Sequence, residues 1–102
     1  MVLESEAGGQ ALGVFLVANN LDHDVSARVT ASTFAAENGH TVQPTFIFDP
    51  EVINLASGEQ ILVRVVTVID DLLEPEVRYR GGFTVPELEG THIPIVLRRR
   101  KS

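Results

Sequence analysis

An alternation of apolar and polar residues with a period of two constrains the fold of this chain most strongly. Along residues 25–32 every second residue is apolar, and the residues between them are hydroxylic or charged. Successive side chains of a β-strand point to opposite faces, so this pattern predicts strands with one buried face. The segment 61–69 carries apolar residues at both sets of positions, which predicts a central strand.

Turn-forming residues separate these alternating runs. They cluster at residues 19–24, 37–40, 56–59, 70–75 and 86–90. Strands are therefore predicted near 10–18, 24–35, 41–48, 51–55, 59–69, 76–85 and 91–98. The only stretch with helical propensity, residues 31–37, is too short to form a helix alone. About seven short strands between turns predict an all-β sandwich or a small barrel.

Length and composition indicate one domain without a covalent framework. A chain of 102 residues is too short for two separate cores. We expect a flexible N-terminal segment at 1–9, a sandwich at 10–98 and a basic C-terminal tail at 99–102. The chain has no cysteine, which excludes disulfides, thiolate metal sites and thiol nucleophiles. The lack of cysteine and of a signal-peptide pattern favours a cytoplasmic location.

The charges are unevenly distributed along the chain. Fourteen acidic and eight basic residues give a net charge of −6, and four of the basic residues are residues 98–101. The acidic body would repel phosphate, so we expect no nucleic acid to bind it. The basic end could bind nucleic acid, acidic lipid or an acidic partner. Alternatively it is a solubilising end or lies against the acidic body. Its arginines are candidate partner-binding residues: Arg98, Arg99 and Arg100.

One run of residues resembles a known group of domains. Residues 48–65 read F-x-P-x-x-I-x-L-x-x-G-E-x-x-x-V-x-V, which resembles the pilus-chaperone and major-sperm-protein group. That resemblance implies an immunoglobulin-like antiparallel β-sandwich. Independently of it, Pro50 has no backbone N–H, so we expect it at a sheet edge or at a switch between sheets.

A second run resembles fibronectin type III domains more weakly. Leu73, Pro75 and Tyr79 form the pattern L-x-P-x-x-x-Y. The resemblance implies that Tyr79 forms a corner at the start of a strand, with its hydroxyl bonded to upstream backbone.

Two acidic loops contain residue types that bind metal ions. Asp22, His23 and Asp24 could ligate a divalent cation, and Asp70 and Asp71 offer oxygens of the kind that calcium prefers. Both loops are much more typical of solvated turns than of metal sites, and neither has the spacing of a known metal motif. No serine lies in a G-x-S-x-G elbow. We therefore predict a protein without catalytic activity or cofactor.

The N-terminal run from Leu12 to Ala18 is apolar on both faces, more than an exposed edge strand should carry. It is either central in a sheet or covered by another chain, so Val14, Phe15, Leu16 and Val17 are candidate partner-binding residues. The leading hypothesis is a protein-interaction or assembly module that acts through an exposed sheet edge or by self-association. Its partner would be another protein or a second copy of the chain. The alternative is a ligand- or carbohydrate-binding sandwich, with or without calcium.

Overall fold

A computed structural model describes residues 1–101. Within them the chain contains no helix, and hence no helix long and apolar enough to cross a membrane. It forms these strands: β1 (Val2–Glu6), β2 (Gln10–Ala18), β3 (Val25–Ala27), β4 (Thr30–Ala31), β5 (Phe34–Ala36), β6 (Thr41–Val42), β7 (Phe46–Asp49), β8 (Ile53–Leu55), β9 (Gln60–Val68), β10 (Arg78–Thr84) and β11 (His92–Arg100).

The strands form two main sheets and one short pair. The first sheet has the order β1-β11-β10-β5-β6, with β4 also pairing with β10. The second sheet has the order β2-β9-β7, and β3 pairs with β8. Strands β1 and β11 are parallel and the other pairs are antiparallel. The predicted all-β class is confirmed, and β9 is the central strand that the apolar run 61–69 indicated.

The hydrophobic core contains the inward-facing side chains of both sheets. Val63 and Val65 of β9 are fully buried, as is Phe83 of β10. The five phenylalanine rings contact one another with centroid separations from 4.9 to 6.2 Å. Aromatic contacts of this kind add to the stabilisation that burial alone provides.

Two expectations for single residues are confirmed. The hydroxyl of Tyr79 accepts a hydrogen bond from the backbone N–H of Glu74 at 3.0 Å, which forms the expected corner. It also lies 3.2 Å from Nδ1 of His40. Pro50 directly follows β7 of the second sheet, and the next strand, β8, pairs only with β3. The chain therefore leaves the second sheet at Pro50.

The predicted strand 24–35 is divided into β3, β4 and β5. Along β10, two residues separate the pairs Arg80–Ala35 and Phe83–Ala31, whereas the facing strand has three residues there. The extra residue is a β-bulge. At this point Gly81 packs on the ring of Phe34, where an added Cβ would lie 2.8 Å from ring carbons. The segment 41–48 is divided as well, into β6 and β7 on either side of Pro44, which cannot donate a ladder hydrogen bond.

The two chain ends differ most from expectation. The segment 1–9, expected to be flexible, contains β1, and its Leu3 is 1% exposed. Within this segment Glu4 lies opposite Arg98 of β11 and forms an ion pair with it at 3.3 Å. At the other end β11 runs to Arg100, so the expected tail 99–102 is partly a strand. Ser102 lies outside the described residues.

Candidate interaction surface

The outer face of the second sheet is apolar. Side chains at even positions of β2 and β9, and at odd positions of β7, point away from the core. Six of them are large, apolar and between 51% and 69% exposed: Leu12, Val14, Leu16, Ile47, Leu62 and Val68. With the partly buried Val66 they form what we call the outer apolar face.

Strand register arranges this face in cross-strand rows. Leu12, Val66 and Ile47 form one row, and Leu16 and Leu62 form another. Between these two rows lies the only charged row of the described face, which contains Val14, Arg64 and Asp49. A shallow groove of about 260 Å³ lies at the end of the face near Val68. Ile47 and Val66 are among the other residues that line it.

The outer face of the first sheet has the opposite character, and we call it the outer polar face. It presents exposed side chains of β10 and β11, among them Arg78, Arg80, Thr84 and His92. An antiparallel sheet in a soluble domain commonly has one packed and one solvated face. The outer polar face fits that rule, and the outer apolar face departs from it.

The structure separates the four candidate residues of β2. Val14 and Leu16 belong to the outer apolar face, whereas Phe15 and Val17 point into the core with 7% and 0% exposure. Phe15 and Val17 were therefore wrong as contact residues. Because β2 lies at the edge of its sheet, it is not a central strand. Coverage by another chain stays a prediction.

The arginines of β11 contact acidic groups of their own chain. Arg98 forms ion pairs with Glu4, at 3.3 Å, and with Glu76. Arg99 donates a hydrogen bond to the carbonyl of Leu73 at 3.0 Å, and lies 3.8 Å from Asp71. Arg100 is exposed at the end of the strand. Arg98 and Arg99 thus lie against the acidic body, which is one of the interpretations of the basic end that the sequence left open.

Glu76 is the centre of this cluster. The backbone N–H of Lys101 donates a hydrogen bond to it at 2.7 Å, and the guanidinium of Arg98 donates another. These two hydrogen bonds, in that order, hold the pKa of Glu76 below its usual value. Glu76 in turn raises the pKa of Arg98. The cluster joins the end of β11 to the loop before β10.

The two candidate metal loops are turns in the structure. Oδ1 of Asp70 accepts a hydrogen bond from the backbone N–H of Leu72 at 2.9 Å. Asp22 lies 3.1 Å from Nδ1 of His23, and this hydrogen bond lowers the pKa of Asp22. In the part of the chain that the structure describes, no three His, Asp or Glu side chains are grouped closely enough to hold a metal ion.

The aromatic side chains do not form a carbohydrate platform. Tyr79 and Phe34 are fully buried, and Phe46 and Phe48 pack against the core. The chain has five Phe, one Tyr and no Trp, and all six aromatic side chains belong to the interior or its margin. Phe46 and Phe48 are partly exposed and line a pocket of about 400 Å³ with Arg28 and Glu51, so the aromatic surface offered to a carbohydrate is limited to these two side chains.

Comparison with known proteins shows the fold. Neither a protein-family model nor a curated sequence matches the chain. Its structure is similar to the ASH/PapD-like domain 7 of human CEP192, with a TM-score of 0.69 and 13% identity, over 100% of this chain and 81% of that one. It is also similar to a Pseudomonas aeruginosa CupB2 chaperone, with a TM-score of 0.57 and 15% identity, over 96% of this chain and 51% of that one.

A third similar structure is a family 123 glycoside hydrolase from Clostridium perfringens, with a TM-score of 0.73 and 13% identity. This chain is covered completely there but corresponds to only 23% of the hydrolase. The structures together confirm the immunoglobulin-like sandwich and its likeness to the PapD-like and pilus-chaperone group.

Proposed function

We propose that this chain is a non-catalytic protein-interaction module that docks through its outer apolar face. The observation that carries the proposal is the concentration of exposed apolar residues. Among residues 1–101, eleven large apolar side chains are exposed, and six of them lie on this single face. Scattered apolar residues are ordinary on a protein surface, whereas a contiguous patch marks a contact site.

The size of the patch is suited to an interface. Six Leu, Ile and Val side chains exposed by half to two-thirds present on the order of 600 Å² of apolar surface. Covering that area would contribute roughly 15 kcal/mol before the costs of association are subtracted. The remaining free energy is in the range of specific but reversible complexes.

The similar structures support the proposal because one of them contains two interacting proteins. One of them is a chaperone bound to a tip adhesion subunit of Csu pili, a complex of two proteins. It has a TM-score of 0.58 and 14% identity, over 97% of this chain and 48% of that one. A similar sandwich also forms part of a hydrolase, so the fold alone does not determine the function. The proposal therefore depends on the surface of this chain.

Site-specific photo-cross-linking tests the proposal. A benzophenone amino acid at Leu62 reports on the outer apolar face, and one at Thr84 reports on the outer polar face. In extracts of the source cells we expect a discrete protein adduct from Leu62 and none from Thr84. The adduct should disappear with Leu12→Glu and persist with Arg78→Glu. Equal labelling from both positions, or an adduct indifferent to Leu12→Glu, would contradict the proposal.

A further inference from the structure

We infer that the occupant of the outer apolar face is a second copy of this chain, packed face to face about a twofold axis parallel to β9. This inference rests on the proposed function and specifies its partner.

The charges of the face are self-complementary. Its two charged side chains, Arg64 and Asp49, lie opposite each other in one cross-strand row, are exposed and have opposite signs. The outward side chains of β2, β9 and β7 are therefore neutral together, although Asp70 borders the groove at one end of the face and the chain as a whole has a net charge of −6. The net charge of the chain therefore lies outside the strands that form this face.

A twofold axis parallel to β9 places each row against the same row of the second copy. In the charged row, this axis places Arg64 of one copy opposite Arg64 of the other and Val14 opposite Asp49. Each guanidinium therefore reaches diagonally to the Asp49 carboxylate of the other copy, and the reverse pair forms by symmetry. In the row of Leu12, Val66 and Ile47, the β2 side chain of one copy faces the β7 side chain of the other. Two sheets packed in this aligned way are separated by about 10 Å, a distance that side chains of this length fill.

The area is sufficient for such a dimer. Covering about 600 Å² of apolar surface on each copy buries roughly 1,200 Å² in total, which is the lower bound of standard stable interfaces. An isologous contact also uses the same patch twice, so a single apolar face completes the assembly. We accordingly expect a reversible dimer.

Charge reversal tests the geometry without touching the core. Sedimentation velocity of the full chain, from micromolar to millimolar concentration, should show a monomer–dimer equilibrium. Arg64→Glu gives a face with two anions and Asp49→Arg a face with two cations, and each should weaken self-association at least about 30-fold. An equimolar mixture of the two variants should recover the dimer as a heterodimer. Arg80→Glu, the same charge change on the outer polar face, should leave the wild-type equilibrium unchanged.

Three results would overturn the inference. The first is a wild-type chain that stays monomeric throughout the concentration range. The second is a dimer that both reversal variants retain, because another surface would then form it. The third is failure of the mixture to associate when both variants retain the wild-type circular dichroism and melting transition. If the wild-type chain stays monomeric, the cross-linking experiment separates this inference from the proposed function. An adduct from Leu62 to a different protein would leave the proposed function intact, whereas no adduct from Leu62 would refute the proposed function too.

Discussion

The Tyr79 corner offers the sharpest test of how the sandwich is held together. The side chain is fully buried, and its hydroxyl accepts the backbone N–H of Glu74 at 3.0 Å. Tyr79→Phe keeps the ring and its packing but leaves that N–H without its partner. Removing one partner of a buried hydrogen bond costs about 1–2 kcal/mol. For a domain of this size we expect the melting temperature to fall by roughly 5–15 °C.

The contact with His40 must be separated from that effect. His40 is exposed, and its ring lies 3.2 Å from the Tyr79 hydroxyl. His40→Ala removes this contact and leaves the backbone hydrogen bond, so we expect a change within about 0.5 kcal/mol. The difference between the two variants measures the corner itself.

Urea unfolding followed by circular dichroism is the appropriate assay, with equal m-values required for the comparison. If Tyr79→Phe were no less stable than His40→Ala, the corner hydrogen bond would contribute nothing net. The argument that it stabilises the turn before β10 would then be refuted.

Two further outcomes follow from the chain ends. Leu3→Ala should lower the free energy of unfolding in urea by about 2–4 kcal/mol, because Leu3 is only 1% exposed. Val2→Ala, at a residue that is 57% exposed, should change it little. Equal effects of the two substitutions would mean that β1 does not pack against the core. The pKa of Glu76 is lowered on folding, so its stabilising effect is present above its unfolded value near 4.5 and is lost as the pH falls below that. Glu76→Gln should therefore lower the melting temperature at neutral pH, and this difference should shrink as the solution is acidified from pH 5 to 3; a constant difference would refute the assignment.

The sequence pattern was sufficient to predict features that depend only on residues near one another along the chain. The alternation in 61–69 predicted β9 within one residue at each end, and the lack of an N–H predicted the position of Pro50. The corner at Tyr79 was implied by the resemblance of residues 73–79 to fibronectin type III domains. Each of these features depends on residues close together along the chain.

Features that depend on distant partners could not be read in the same way. The burial of Leu3 requires Leu97, its cross-strand neighbour in β11. The division of strand 24–35 depends on the register that β10 imposes, because a bulge changes pairing without changing composition.

The outer apolar face was only half visible in the sequence. An apolar residue on each side of a strand is compatible with two buried faces or with one buried and one exposed face. Leu12 and Leu62 are both at even positions, but only the antiparallel register of β2 and β9 shows that these positions share one face. The sequence did show that these apolar residues have even numbers. That signal could be interpreted only once the pairing of β2 with β9 was known.

The parallel pairing of β1 with β11 also has a consequence for the order of folding. Val2 lies beside Val96, and Glu6 beside Arg100. During synthesis β1 therefore remains without its partner until β11 has left the ribosome. Contacts between residues so far apart in sequence are slow to form, which places folding in the range of about milliseconds to seconds. Leu3 therefore cannot meet Leu97, its cross-strand neighbour, before β11 has been made.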